Sequence, residues 1–148
     1  AMTLAVGGCS PLAQKLMDVT AHALHLGIAQ AKAGNVVSDI SKAIQTHVEE
    51  SGFSVVREFV GHGVGRSVHE EPQVPNYVDT RHSTRLRAGL VIAIEPMVNA
   101  GAAGAEILDD RWTVVTKDRQ LSAHFEHTVL VTDGDPEILT RDGMKPLY

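Results

Sequence analysis

Gly61-His62-Gly63-Val64-Gly65-Arg66-Ser67-Val68-His69-Glu70-Glu71-Pro72 sets two histidines seven residues apart among glycines that strip away side-chain bulk and leave the backbone free. Further on, the apolar run Leu90-Val91-Ile92-Ala93-Ile94 ends in Glu95-Pro96, and a second run, Ser122 to Val131, carries Glu126 in its middle. An ionised carboxylate inside a sheet-like apolar run is costly unless a cation or hydrogen-bond donors meet it. One histidine and two glutamates from three such segments are ligands of the kind that hold divalent transition metals. The residue types leave plainer readings open. The glycines around His62 suit a tight turn, a lone histidine is often a packing residue, and Glu95 or Glu126 could pair with Arg66 or Arg87.

Outward from these segments the chain divides in two. Ser10-Pro11 gives an N-cap followed by proline at the first helical position, and Leu12, Leu16, Val19 and Ala23 recur at helical spacing. That helix is expected to run to about Ala33, with Gly34 as its stop. A second begins near Ser38, repeats Ile40, Ala43, Ile44, His47 and Val48 on one face, and ends at Ser51-Gly52. His47 on that face reads as packing, and His22 and His25 are no better placed as ligands. After Gly52 the pattern turns β-like: Phe53 to Val60, Leu90 to Glu95, Trp112 to Thr116 paired with Ala123 to Thr132 through Lys117 to Gln120, and a short last strand at Ile138 to Thr140. Two helices on one side of a mainly antiparallel sheet make an α+β layer, and 148 residues fit one domain.

Composition narrows the class. A hydrophobic share of 43% beside 21% charged residues argues against disorder. A net charge of -5 offers no electrostatic footprint for nucleic acid, and the local cluster Arg81, Arg85 and Arg87 reads as a solvated loop. Cys9 is the single cysteine, which rules out an internal disulfide and suits a reducing compartment. No apolar run has the length of a membrane span, and no signal peptide is recognisable. A cytoplasmic protein is the expectation.

Five segments carry a family resemblance: Gly61 to Arg66, His69 to Tyr77, Ile94 to Asn99, Trp112 to Arg119, and Phe125 to Thr128. In order and spacing they resemble the type I methionine aminopeptidases. The likeness runs from about Leu4 to Arg141 and is to the later part of that family's catalytic domain. It implies half of a pita-bread fold, in which two similar half-layers enclose a two-metal site, and a hydrolase that removes the initiator methionine from nascent polypeptides. The metals in view are Co, Mn, Fe, Zn or Ni.

Residue by residue, His62 matches the family's histidine ligand, Glu95 a terminal glutamate ligand that also takes a proton from the attacking water, and Glu126 the glutamate that bridges the metals. His69 matches a histidine that is free of metal and donates to the oxyanion developing on the substrate carbonyl. Val68 and Trp112 match positions lining part of the methionine pocket; on residue type alone Val68 is an ordinary strand hydrophobe and Trp112 equally a core tryptophan. The family's two aspartate ligands stand about eleven apart, and no aspartate here has another eleven residues later.

Two departures stand out. His124 replaces a residue that is usually glutamine, and Arg111 replaces a common glycine. Period-two alternation puts His124 on the strand face of Glu126, either as an extra ligand or, by preference, as a hydrogen-bond partner. Three accounts of the chain follow: a C-terminal half whose Ala1-Met2 reads as a cloning scar and which is inactive alone, a catalytically dead module acting in protein binding, or a half that works with a separately supplied first half. A face left uncovered by that first half invites a second copy, so a homodimer is expected.

Overall fold

The computed structural model describes residues 1–79 and 84–141. Arg81, and the end of the expected domain beyond residue 141, lie outside the described residues. Two helices come first, α1 (Pro11–Ala29) and α2 (Val37–Glu50). Ser10 caps α1, its Oγ accepting from the Ala13 N–H at 3.1 Å, with Pro11 opening the first turn. The helix stops at Ala29 and not Ala33. Lys32 forms a bridge with Thr132 and the Ala33 N–H donates to the Thr132 carbonyl, so residues the helix would have used are taken by the end of the sheet. Asp39 closes the start of α2 by accepting from the Val36 N–H at 2.9 Å.

Ten short strands follow: β1 (Ser54–Val55), β2 (Gly61–Gly63), β3 (Glu70–Val74), β4 (Val91–Ile94), β5 (Met97–Asn99), β6 (Ala105–Ile107), β7 (Val114–Thr116), β8 (Ser122–His124), β9 (His127–Leu130) and β10 (Glu137–Ile138). They form antiparallel sheets in the orders β10-β9-β4-β2-β3, β1-β5-β8 and β6-β7. Of the expected strand from Phe53 to Val60, only Ser54–Val55 is paired. The expected partner of Trp112 to Thr116 is also corrected. β7 pairs with β6, because Asp118 accepts from the Ala102 N–H and Lys117 donates to the Gly104 carbonyl, which ties the turn back to residues 102–104. The run from Ala123 to Thr132 divides into β8 and β9, one in each larger sheet.

The helices cover one side of these sheets. Leu16, Leu24 and Ile28 of α1 and Ile40, Ile44 and Val48 of α2 join Ile92, Ile94, Val98 and Val129 in one buried cluster. The expected α+β layer of two helices on a mainly antiparallel sheet is the architecture found. Among the described residues no helix is long and apolar enough to cross a membrane.

His22, His25 and His47 belong to the helix pair, with the His22 and His47 rings edge to face at 4.6 Å. Burial, then the neighbouring His22 and Arg141, holds His25 below the ordinary histidine value; burial, then His22, does so for His47 against the opposing pull of Glu50. The folded chain therefore binds fewer protons at these two sites than the unfolded chain. Their contribution to stability is fully present above the unfolded value of about 6.5 and is lost as pH falls through the lower folded values. Urea midpoints at pH 5 and pH 7.5 check this. The gap between them is expected to narrow in a His25→Gln/His47→Gln variant, and an unchanged gap would refute the assignment.

Candidate metal centre

β4 and β5 are consecutive, as are β8 and β9, and the two pairs run antiparallel as one long ladder broken at the same level in both strands. Ile94 faces His127 on one side of the break and Met97 faces His124 on the other. Glu95-Pro96 and Phe125-Glu126 occupy the break. Pro96 has no N–H to give a ladder, but its carbonyl accepts from the Phe125 N–H at 3.3 Å, so the strands stay together while changing sheet. Both glutamates thus leave the backbone at one seam. His62 reaches the same place from β2, paired with Ala93, two residues before Glu95 and on its face of the strand.

The side chains converge as this register requires. His62 Nε2 lies 3.5 Å from Glu95 Oε1, and His124 Nε2 lies 3.5 Å from Glu95 Oε2. Ligand atoms of Glu95, His124 and Glu126 all lie within 4.8 Å of one another, the one such trio among the described residues. His62 stands outside that trio and reaches it through the other Glu95 oxygen. His62 Nδ1 is 2.9 Å from the Gly63 carbonyl. In the neutral ring Nδ1–H donates there, and the Nε2 lone pair is left facing the carboxylate. The Asn76 amide, fully buried, donates to the Glu95 carbonyl at 3.0 Å and fixes the backbone from which that side chain hangs. Glu126 is held by backbone pairing with Ala1, whose nitrogen is also 3.7 Å from Glu126 Oε2.

These donors suit a divalent transition metal. Carboxylate oxygens and imidazole nitrogens face each other at 3.5 Å, too far for good hydrogen bonds but close to the roughly 3.4 Å between neighbouring ligands about 2.1 Å from a tetrahedral ion. Among the described residues, His124 Nε2 is buried without a hydrogen-bond partner, as is His47 Nε2, but only that of His124 faces a carboxylate of the cleft.

His62, His69, Glu95 and His124 line a cleft of about 510 Å³, whose apolar wall includes Phe59, Met97 and Val114. The His69 ring centroid is 4.2 Å from that of His62. Glu58 also borders the cleft. Burial would raise its carboxyl, but the N–H groups of Ala105, Glu58 and Arg57 and the Lys117 ammonium outweigh this and hold it below the ordinary glutamate value. Its charge is already satisfied by those partners. A smaller adjoining pocket of about 250 Å³ shares Phe59, Met97 and Val114 and is mostly apolar. Val68 and Trp112 lie elsewhere, 70% and 87% exposed, and line neither space. Arg111, where the resembling family commonly has glycine, sits at φ 59, a left-handed backbone that costs a non-glycine residue roughly 1 kcal/mol.

Asn76, Phe59, Met97 and Val114 were missed in the sequence as site residues.

Comparison with known proteins identifies the family. Methionine aminopeptidase 1 of Bacillus subtilis is 52% identical over 141 residues, covering 95% of this chain and 57% of the relative. The methionine aminopeptidase of Escherichia coli is 47% identical over 135 residues, 91% of this chain and 51% of the relative. The crystal structure of the Thermotoga maritima methionine aminopeptidase superposes with a TM-score of 0.89 at 44% identity, over 93% of this chain and 55% of that one. The chain spans about half the length of the curated relatives it matches. The family model for metallopeptidase family M24 matches residues 1–133, and the chain belongs to that family.

Proposed function

We propose that this chain supplies the histidine and glutamate side of a two-metal centre that removes methionine from the N-termini of nascent polypeptides, a cytoplasmic reaction. The observation that carries this reading is the seam where Glu95 and Glu126 meet between two imidazoles. The relatives' names point to N-terminal methionine as the substrate. Divalent ions bound there, whether Co, Mn, Fe, Zn or Ni, would lower the pKa of water and polarise the scissile carbonyl.

The chain's own residues would then act as follows. Glu126 and Glu95 would hold the ions through carboxylate oxygens and His62 through its imidazole nitrogen. Glu95 accepts the proton released by water as it attacks. His69, whose ring is tilted 56° against that of His62, donates to the oxygen on which negative charge develops. The apolar pocket beside Phe59, Met97 and Val114 receives the methionine side chain; Val68 and Trp112, which do not line it, are assigned to substrate contact solely by their match to the family's positions. The two aspartates that the resemblance calls for have no counterpart in these 148 residues. The chain is accordingly expected to work with a further segment bearing them, and alone to cover the open face with a second copy of itself.

One experiment tests both parts. Methionine release from a Met-Ala-Ser peptide is measured with Co(II), Mn(II) or Fe(II), for the chain alone and mixed with the first half of the Bacillus subtilis relative, and each sample is sedimented. The expected outcome is negligible turnover and a dimer for the chain alone, and turnover lost in Glu126→Ala for the one-to-one complex. Glu126-dependent turnover by the chain alone would overturn its inactivity, and a monomer at tens of micromolar would overturn the dimer. A stable complex that releases no methionine would favour the other reading, a catalytically dead module acting in protein binding.

A further inference from the structure

We infer that His124 is a nitrogen ligand, so that Glu95, His124 and Glu126 form a single-ion site selective for the later divalent metals, Co, Ni and Zn, over Mn. The inference rests on reading the cleft as a metal centre, and it assigns a role to the one site residue at which the chain departs from its family's usual glutamine.

Three observations point the same way. His124 pairs with Met97 across the two-strand ladder, and both line the cleft with Glu95. Its ring is part-exposed, yet Nε2 itself is buried, lacks a hydrogen-bond partner and is 3.5 Å from Glu95 Oε2. A hydrogen-bonded histidine would have closed that gap or turned Nε2 to water, since a buried polar atom left without a partner costs roughly 1–3 kcal/mol. Finally, the residue cannot easily drift. Thr3 Oγ1 donates to the His124 carbonyl at 3.0 Å and accepts from its N–H at 2.9 Å, clamping the backbone at both polar groups.

The chemical consequence is selectivity. Mn(II) sits at the weak end of the divalent series and favours carboxylate, carbonyl and water, whereas imidazole suits the later ions. A glutamine at 124 offers only a carbonyl oxygen and would leave Mn and Co more evenly bound. Glu95 turns one oxygen toward His124 and the other toward His62, so each imidazole has its own carboxylate oxygen beside it.

The test uses the 148-residue chain without substrate. Calorimetric titration with Co(II) and with Mn(II) is run on the parent, His124→Gln and His62→Gln, and proton NMR of the Co(II)-loaded chain counts the shifted imidazole signals. His124→Gln is expected to weaken Co(II) at least tenfold and Mn(II) less than threefold, with loss of one imidazole signal; that signal persists in His62→Gln. Co(II) affinity unchanged in His124→Gln, with the imidazole signals intact, would overturn the inference while leaving the cleft a metal centre. Absence of any Co(II) binding by the parent at millimolar metal would overturn both. Should His124→Gln fold poorly by circular dichroism, the signal count in the parent and His62→Gln still decides: no imidazole signal left in His62→Gln refutes a second nitrogen ligand.

Discussion

Replacing Gly63 with valine is expected to cost the chain about 3 kcal/mol or more, lowering the thermal midpoint by about 10 °C. A Cβ at this position would run into the Glu71 carbonyl oxygen and come within 2.7 Å of the Glu71 carbonyl carbon and 3.0 Å of the Glu70 oxygen. These are backbone atoms of β3, so no rotamer change relieves the collision; the strand itself must move. Moving it breaks the irregular pairing at which the β2–β3 register shifts between His62 and Gly63. Gly61 is confined in the same way by the Ala93 carbonyl of β4. The glycines on either side of His62 are therefore what allows β2 to lie closely between two neighbours and to present the imidazole at a fixed height beside Glu95. Thermal unfolding followed by circular dichroism checks this, with Gly63→Ala expected between parent and valine variant. A valine variant melting within about 2 °C of the parent would show that β3 yields easily.

How much of this was legible beforehand follows from what each feature depends on. The two helices could be read because Ser10-Pro11 and the spacing of Ile40, Ile44 and Val48 are local signals. His62, Glu95 and Glu126 could be singled out because each carries a cost, a carboxylate in an apolar run or a side-chain-free backbone, that a shared site would offset; the structure gathers Glu95 and Glu126 with His124, and His62 reaches them through Glu95. Strand partners could not. Whether Val114 to Thr116 pairs with β8 or with β6 is decided by Asp118 reaching the Ala102 N–H, a contact sixteen residues away that no periodicity records. The end of α1 failed for a similar reason, since Ala31 to Ala33 keep helical composition, but Lys32 bridges to Thr132 and the Ala33 N–H donates to the Thr132 carbonyl. His124 fell between these cases. Alternation correctly put it near Glu126, but its distance from Glu95 depends on the seam at Pro96, where alternation stops being a guide.

Glu95→Gln is expected to separate metal binding from stability. The Glu95 side chain is only 15% exposed, and the described residues give its oxygens two imidazole nitrogens at 3.5 Å and no closer donor. Without metal, the carboxylate has lost most of its water and gained no full hydrogen bond, an arrangement that costs several kcal/mol unless a cation repays it. Glutamine keeps the shape and removes the charge. The metal-free variant is therefore expected to melt at the parent's temperature or a few degrees above it, since relief of about 1 kcal/mol is worth roughly 2–4 °C in a chain of this size. Metal affinity should move the other way. Losing partners that merely orient ligands costs about 10–100-fold in affinity, and Glu95 is the group shared by both imidazoles, so a Co(II) loss of at least about a hundredfold is expected. Calorimetric titration and melting with and without Co(II), all at pH 8, read both effects on the same samples. A variant several degrees less stable without metal would show that the carboxylate has a structural partner, and Co(II) affinity kept within threefold would remove Glu95 from the ligand set.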